Sequence, residues 1–173
     1  MSDFQPVPTA GKISIGSLDD EGLTVVAQYN PKELQIDKSV PWSKVNEANK
    51  SNQKSDQGQG IHLEFTGAEG RSLSVEMLFD GYETNGYNVD VASQVAILEK
   101  LASVREPGST KEEMRRPHRC VAKWGQALDS FRCVIESLST KYTMFDETGK
   151  PLRATCTVKL KEADVVSMGK KGA

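Results

Sequence analysis

The chain has 173 residues, with 24 acidic against 22 basic side chains and a formal charge of −2, a length that suits one domain with a sizeable hydrophobic core. That balance, with a pI near 5.8, excludes the strongly basic footprint of a dedicated nucleic-acid binder. No apolar run approaches the roughly 18 residues of a membrane span, so no membrane insertion is expected; the opening Met1-Ser-Asp-Phe-Gln-Pro-Val-Pro8 lacks the basic and apolar regions of a secretory signal, so cytosolic synthesis without a Sec-type signal is expected.

In chain order, residues 1–19 read as an N-terminal arm, 20–163 as one β-rich domain and 164–173 as a flexible tail. Leu23 to Gln28 is short and β-branched and runs into the turn signal Tyr29-Asn30-Pro31. From Glu33 to Trp42, Leu34, Ile36 and Val40 alternate with Gln35 and Asp37, which predicts a half-buried strand. Residues 46–60 read NEANKSNQKSDQGQG, with Ala48 the sole apolar side chain, too little apolar surface to offset the entropy of ordering. Such a loop inside a compact domain is uncommon unless it binds something.

Ile61, Leu63 and Phe65 then alternate with His62 and Glu64, and Leu73, Val75, Met77 and Phe79 alternate with Ser72, Ser74 and Glu76. With Gly67 to Gly70 between them, the two runs are expected to pair as a hairpin. Asp90 is placed to cap a helix by accepting a backbone N–H, and Val91, Val95, Leu98 and Ala102 fall on one face beside Leu101. Pro107-Gly108 is the stop signal, inside a second charged loop from Arg105 to Pro117.

Arg119 to Trp124 and Phe131 to Phe145 follow as strands. In the second, the apolar set changes phase from Phe131, Cys133 and Ile135 to Leu138, Tyr142 and Met144. One extra residue flips every later side chain, so a β-bulge or a sharp bend near Ile135 to Leu138 is expected. After the turn Asp146 to Gly149, Leu152, Ala154, Cys156, Val158 and Leu160 alternate strictly with Arg153, Thr155, Thr157, Lys159 and Lys161. One face of that strand must be buried, and the other is basic and hydroxylic.

The chemistry-bearing residues point away from catalysis. Cys120, Cys133 and Cys156 are odd in number and form no C-x-x-C pair, with His62 and His118 as the only histidines. They read as small apolar residues packed in strands; no metal and no cofactor are expected. Gly149-Lys150 lacks the upstream glycine of a phosphate loop, Gly58-Gln59-Gly60 precedes no helix pattern, and no serine sits in G-x-S-x-G. His118 and Cys120 could share a strand face, but no third group marks them as a nucleophile and base. Glu64, Glu76 and Asp80 read as strand or strand-end carboxylates. No enzyme is indicated.

The order of segments is more telling than any one motif. Tyr29-Asn-Pro-Lys-Glu33 is followed by the polar loop, Met77-Leu-Phe-Asp80, Asp90-Val91, Arg116-Pro-His118, Trp124-Gly125, Phe131 to Phe145 and Gly149-Lys-Pro-Leu-Arg-Ala154. Over residues 20 to 162 this order resembles the tube-protein domain of contractile injection systems and contractile phage tails. It most resembles the branch that joins the spike and baseplate hub to the inner tube.

The resemblance implies a mainly β fold with one packed helix (α+β), a barrel- or sandwich-like antiparallel arrangement that forms rings, commonly of six. It implies structural work without catalysis, assembly in the cytoplasm and then a place in the tail or injection particle. Partners would be further copies, the hub or spike protein, the inner-tube protein and cargo in the lumen. Hub adaptors often carry a C-terminal LysM domain, for which no room follows Lys161, so the resemblance leaves three roles: the adaptor itself with a LysM-containing partner, a tube initiator, or the repeating tube subunit. The loops and the basic strand face then give the candidate interface residues Asn46, Lys50, Lys54, Asp56, Arg115, Arg116, Arg153, Lys159 and Lys161. The rival readings are the repeating inner-tube subunit, a monomeric β-rich module that binds a peptide or glycan through the loops, and an enzyme whose site carries no motif.

Overall fold

A computed structural model describes residues 10–45, 61–82 and 89–166. Among these residues nine strands and one α-helix follow one another: β1 (Ser14–Ser17), β2 (Thr24–Val26), β3 (Gln35–Asp37), β4 (Trp42–Lys44), β5 (Leu63–Phe65), β6 (Ser72–Asp80), α1 (Val91–Ala102), β7 (Cys120–Trp124), β8 (Leu128–Phe145) and β9 (Pro151–Glu162). Seven of them form one antiparallel sheet in the order β2-β1-β7-β8-β9-β6-β3, and β4 and β5 form a separate pair. The fold is therefore mainly β with one helix among the described residues, as expected, but the sheet is not closed into a barrel.

Inside the sheet, β9 lies between β8 and β6. Its Ala154, Cys156, Val158 and Leu160 are fully buried and lie opposite Phe79, Met77, Val75 and Leu73 of β6. On the other side of β9, Ile135 pairs with Leu160 and Ser137 with Lys159. Glu136 is thus the extra residue, the bulge that the phase change predicts, and Leu138 returns to the core side, half-buried. Helix α1 covers this apolar face with Val91, Val95, Leu98 and Leu101, while Ala102 lies at the margin. It touches β2 near one edge of the sheet and β6 near the other, so the sheet curls around it. At the seam, the Gln28 side chain closes the gap: its Nε2 donates to Asp80 O at 2.9 Å and its Oε1 accepts from Asp80 N at 2.7 Å. One carboxamide thereby satisfies two backbone groups as a neighbouring strand would.

Four expectations are corrected. Residues 14–17, read as part of an arm, are β1, paired with both β2 and β7; Ile13 and Ile15 are fully buried, which ties the segment to the core. The hairpin of 61–65 with 72–79 does not form, because β5 pairs with β4 and β6 lies between β9 and β3. Nine register pairs, four of them apolar and buried, hold one edge of β6 to β9, and β3 takes Ser72 to Ser74 on the other edge. Ile36, expected on a buried face, is 41% exposed, since β3 is a three-residue edge strand. Asp90 makes no side-chain cap to the backbone; its Oδ2 accepts from Ser93 Oγ at 2.8 Å. The helix stops at Ser103, whose Oγ donates to Glu99 O, ahead of Pro107.

Candidate assembly interface

Asn46, Lys50, Lys54 and Asp56 lie outside the described residues, as does most of the tail. The remaining candidates fall into two groups.

Arg115 and Arg116 end a short 3-10 turn at Glu112–Arg115. The loop around it is laced by Arg105 N–H to Arg116 O at 3.2 Å and Glu106 N–H to Met114 O at 2.8 Å. Arg115 is exposed. Arg116, expected at an interface, is instead 7% exposed and paired with Asp19 at 2.8 Å. The same carboxylate accepts from Arg119 N at 2.8 Å, Nε at 3.0 Å and Nη2 at 2.9 Å. Burial opposes ionisation of Asp19, but the bonds from Arg116 and Arg119 outweigh it and hold the carboxyl far below the usual range. Arg116 is thus a clamp between the end of β1 and the 105–117 loop; removing one partner would leave a buried charge unpaired.

Arg153, Lys159 and Lys161 share the solvent face of β9. Arg153 is half-buried and pairs with Asp80 at 2.6 Å. Lys159 is exposed and lies between Ser74 and Ser137, on a small groove that Asp37 and Glu136 also line. Lys161 lies between Ser72 and Val134. With Thr155 and Thr157 they continue across Ser72, Ser74 and Glu76 of β6 and Ser137, Ser139 and Lys141 of β8. The three longest strands therefore present one wide hydroxylic and basic face opposite the helix. At the edge of that face, β3 covers only Ser72 to Ser74 of β6. Beyond it a groove of about 420 Å³ opens between Tyr29–Glu33 and Glu76, Leu78 and Thr157.

The cysteines are placed by the strands they belong to, and His118 by its position just ahead of β7. All three cysteines are free and buried; burial pushes the Cys120 and Cys133 thiols up to about 12 and raises that of Cys156. Cys120 and Cys133 lie opposite one another across β7 and β8. His118 does not engage Cys120 as a base: its Nδ1 is 2.8 Å from Ser17 Oγ, while the Cys120 thiol is 3.6 Å from His118 O. Ser17 Oγ already accepts from Asp19 N and Asp20 N at 3.0 and 2.9 Å, so its one proton goes to His118 Nδ1. That arrangement fits a neutral imidazole with its proton on Nε2, in keeping with the burial that lowers the His118 pKa. Among the described residues no three His, Cys, Asp or Glu side chains group as metal ligands, and no helix is long and apolar enough to cross a membrane.

Local pattern could not have found Asp19, Ser17 or Gln28. Asp19 meets Arg116 across 97 residues and Gln28 meets Asp80 across 52. The expected hairpin failed for another reason: Trp42 and Phe65 belong to alternating runs yet are 56% and 49% exposed, so alternation alone did not place them.

A family model described as contractile injection system tube protein matches residues 13–169. No curated protein matches the chain.

Proposed function

The chain belongs to the contractile injection system tube protein family, and we propose that it forms a ring that is a layer of the tube, set where the inner tube meets the baseplate hub. One observation carries the reading. Strands β6, β9 and β8 are two-faced, apolar toward α1 and hydroxylic and basic on the other side, in a sheet that stays open at β2 and β3.

A lone open sheet leaves edge N–H and C=O groups and invites pairing with another chain. In a ring, each copy's edge meets its neighbour's, and the polar faces turn toward a wet channel. Arg153, Lys159 and Lys161 would then line that channel, where cargo passes. Arg115 and the 105–117 loop would lie on the ring's rim, near the hub or the next layer. The work is mechanical and needs no catalytic residue or cofactor.

Native mass spectrometry with electron microscopy of the full chain tests this. The expected result is a closed ring with a central channel, which co-purifies with a co-expressed hub protein. A species that stays monomeric at every concentration, with or without the hub, would overturn it and favour the binding module.

A further inference from the structure

One buried cluster of side chains ties the turn after β1 to the end of the 105–117 loop. Ser17 Oγ accepts from Asp19 N and Asp20 N at 3.0 and 2.9 Å and lies 2.8 Å from His118 Nδ1. Two residues before His118, Arg116 grips the Asp19 carboxylate through Nη1 at 2.8 Å and Nη2 at 3.2 Å. The carbonyl of Arg116 accepts from Arg105 N at 3.2 Å, and Val104 bridges to Pro117 beside it. The loop is therefore closed at its base by a segment whose position depends on Asp19.

The Ser17 hydroxyl has nothing left to offer. Such an oxygen carries one proton and two lone pairs; two amides take the lone pairs, and the proton goes to Nδ1. In the neutral ring Nε2 holds the other proton, so a further proton can enter only at Nδ1. There it would face an oxygen already saturated with donors. Turning the hydroxyl away does not help, because a third N–H still finds no acceptor, and one of the two amide bonds must give way. Both bonds belong to the turn that sets the Asp19 carboxylate, the shared partner of Arg116 and Arg119.

We propose that Ser17, His118 and Asp19 form an acid-sensitive latch on the 105–117 loop, which opens when His118 takes a second proton. The charged groups that face the ring are Asp19 and Asp20 from the turn, Lys100 from α1 and Arg105 from the loop itself. Burial, with Arg105 and Lys100, disfavours the imidazolium; Asp19 and Asp20 oppose them, but the charge of Asp19 is already shared by Arg116 and Arg119. Opening the loop returns the ring to water and to its ordinary basicity, so acid favours the open form. Asp19 is not the trigger: against its burial, the bonds from Arg116 and Arg119 keep it ionised far below the usual carboxylate range. The latch stands on contacts within one chain and goes beyond the ring reading; in a ring, the loop it frees would be the one on the rim.

Amide hydrogen exchange of the full chain, read by mass spectrometry at about pH 7.5 and about pH 5 and corrected for intrinsic rates, tests the latch. Residues 105–117 of the wild type should lose protection at the lower pH, by about tenfold for each unit by which folding depresses the His118 pKa. Strand β9 should keep its protection. His118→Asn puts Oδ1 where Nδ1 stands, still accepts the Ser17 proton and does not titrate, so its loop should be equally protected at both pH values. Should that variant fail to fold, NMR titration of His118 in the wild type takes its place, and its midpoint should coincide with that of loop opening. Equal protection of the wild-type loop at both pH values would overturn the latch. So would an acid loss that persists in His118→Asn, a loss shared equally by β9, or a loop that opens while His118 is still neutral.

Discussion

The β6–β9 ladder and the β4–β5 pair carry the same kind of pattern and meet different fates. Leu73, Val75, Met77 and Phe79 alternate with mostly polar neighbours and are at most 2% exposed. Ile61, Leu63 and Phe65 alternate just as cleanly and are 46–82% exposed. Period-2 alternation reports that a strand has an apolar face; it does not say what covers that face. In the ladder the cover is α1, on the same chain. On the pair, Trp42, Leu63 and Phe65 stay 46–56% exposed in the single chain.

The sharpest way to break this contrast is a charge placed on either face of β9. Val158 is fully buried between Val75 and Leu138. Val158→Asp should cost several kcal/mol by burying an unpaired carboxylate, enough to leave little folded protein in a thermal melt. Thr155→Asp, on the polar face between Leu78 and Lys141, should leave the melting temperature nearly unchanged. Equal damage from both would mean that the two faces are not distinct.

A second comparison sets the helix against the hairpin. Leu98 is fully buried under the sheet, and Leu98→Ala should lose about 2–5 kcal/mol to the cavity it leaves. Trp42 is the larger side chain, yet Trp42→Ala should change monomer stability by no more than about 0.5 kcal/mol, since most of its surface already meets solvent. Urea melts of the two variants check both values. A large loss at Trp42 would mean that the hairpin face is covered within the monomer.

These contrasts also mark what could be read from the chain. The last strand, the helix stripe and the bulge at Glu136 follow from one segment's own periodicity, so they were legible. The partner of β5 was not, because both edges of β6 are taken by strands distant in sequence, β9 on one side and β3 on the other. β1 hid in a segment too short to show a period. Arg116 read as a surface cation because its counter-charge, Asp19, is 97 residues away. The candidates in 46–60 lie outside the described residues, so the interface was legible as polar loops but not as geometry.

The clamp that sequence missed should show itself in acid. Burial lowers the His118 pKa from 6.5, helped by Arg105 and Lys100 and opposed by Asp19 and Asp20. A depressed histidine binds its proton more weakly in the folded chain than in the unfolded one. Its contribution is therefore present above about pH 6.5 and lost as pH falls toward the folded value. Asp19 acts lower: its contribution is present above its ordinary 3.8 and lost as pH falls below that. Urea midpoints should thus decline in two steps on acidification, and His118→Gln should flatten the first while leaving the second. A first step unchanged in His118→Gln would place its origin elsewhere.

The smallest expected effect is at the start of the helix. An aspartate at an N-cap commonly contributes about 1 kcal/mol through its bond to a backbone N–H. Asp90 makes no such bond; its Oδ2 takes the Ser93 hydroxyl, and Oδ1 is buried with no partner among the described residues. Asp90→Ala would lose one exposed side-chain bond and at the same time remove a buried acceptor that nothing satisfies, two changes of opposite sign. The net shift should stay within about 0.5 kcal/mol, well short of a lost cap. Asp90→Asn keeps the shape and adds donors, so it should match or slightly exceed the parent. A loss of a full cap's worth in Asp90→Ala, with Ser93→Ala silent, would show that the carboxylate caps the backbone in solution after all. The helix start would then obey the local rule that its geometry here departs from.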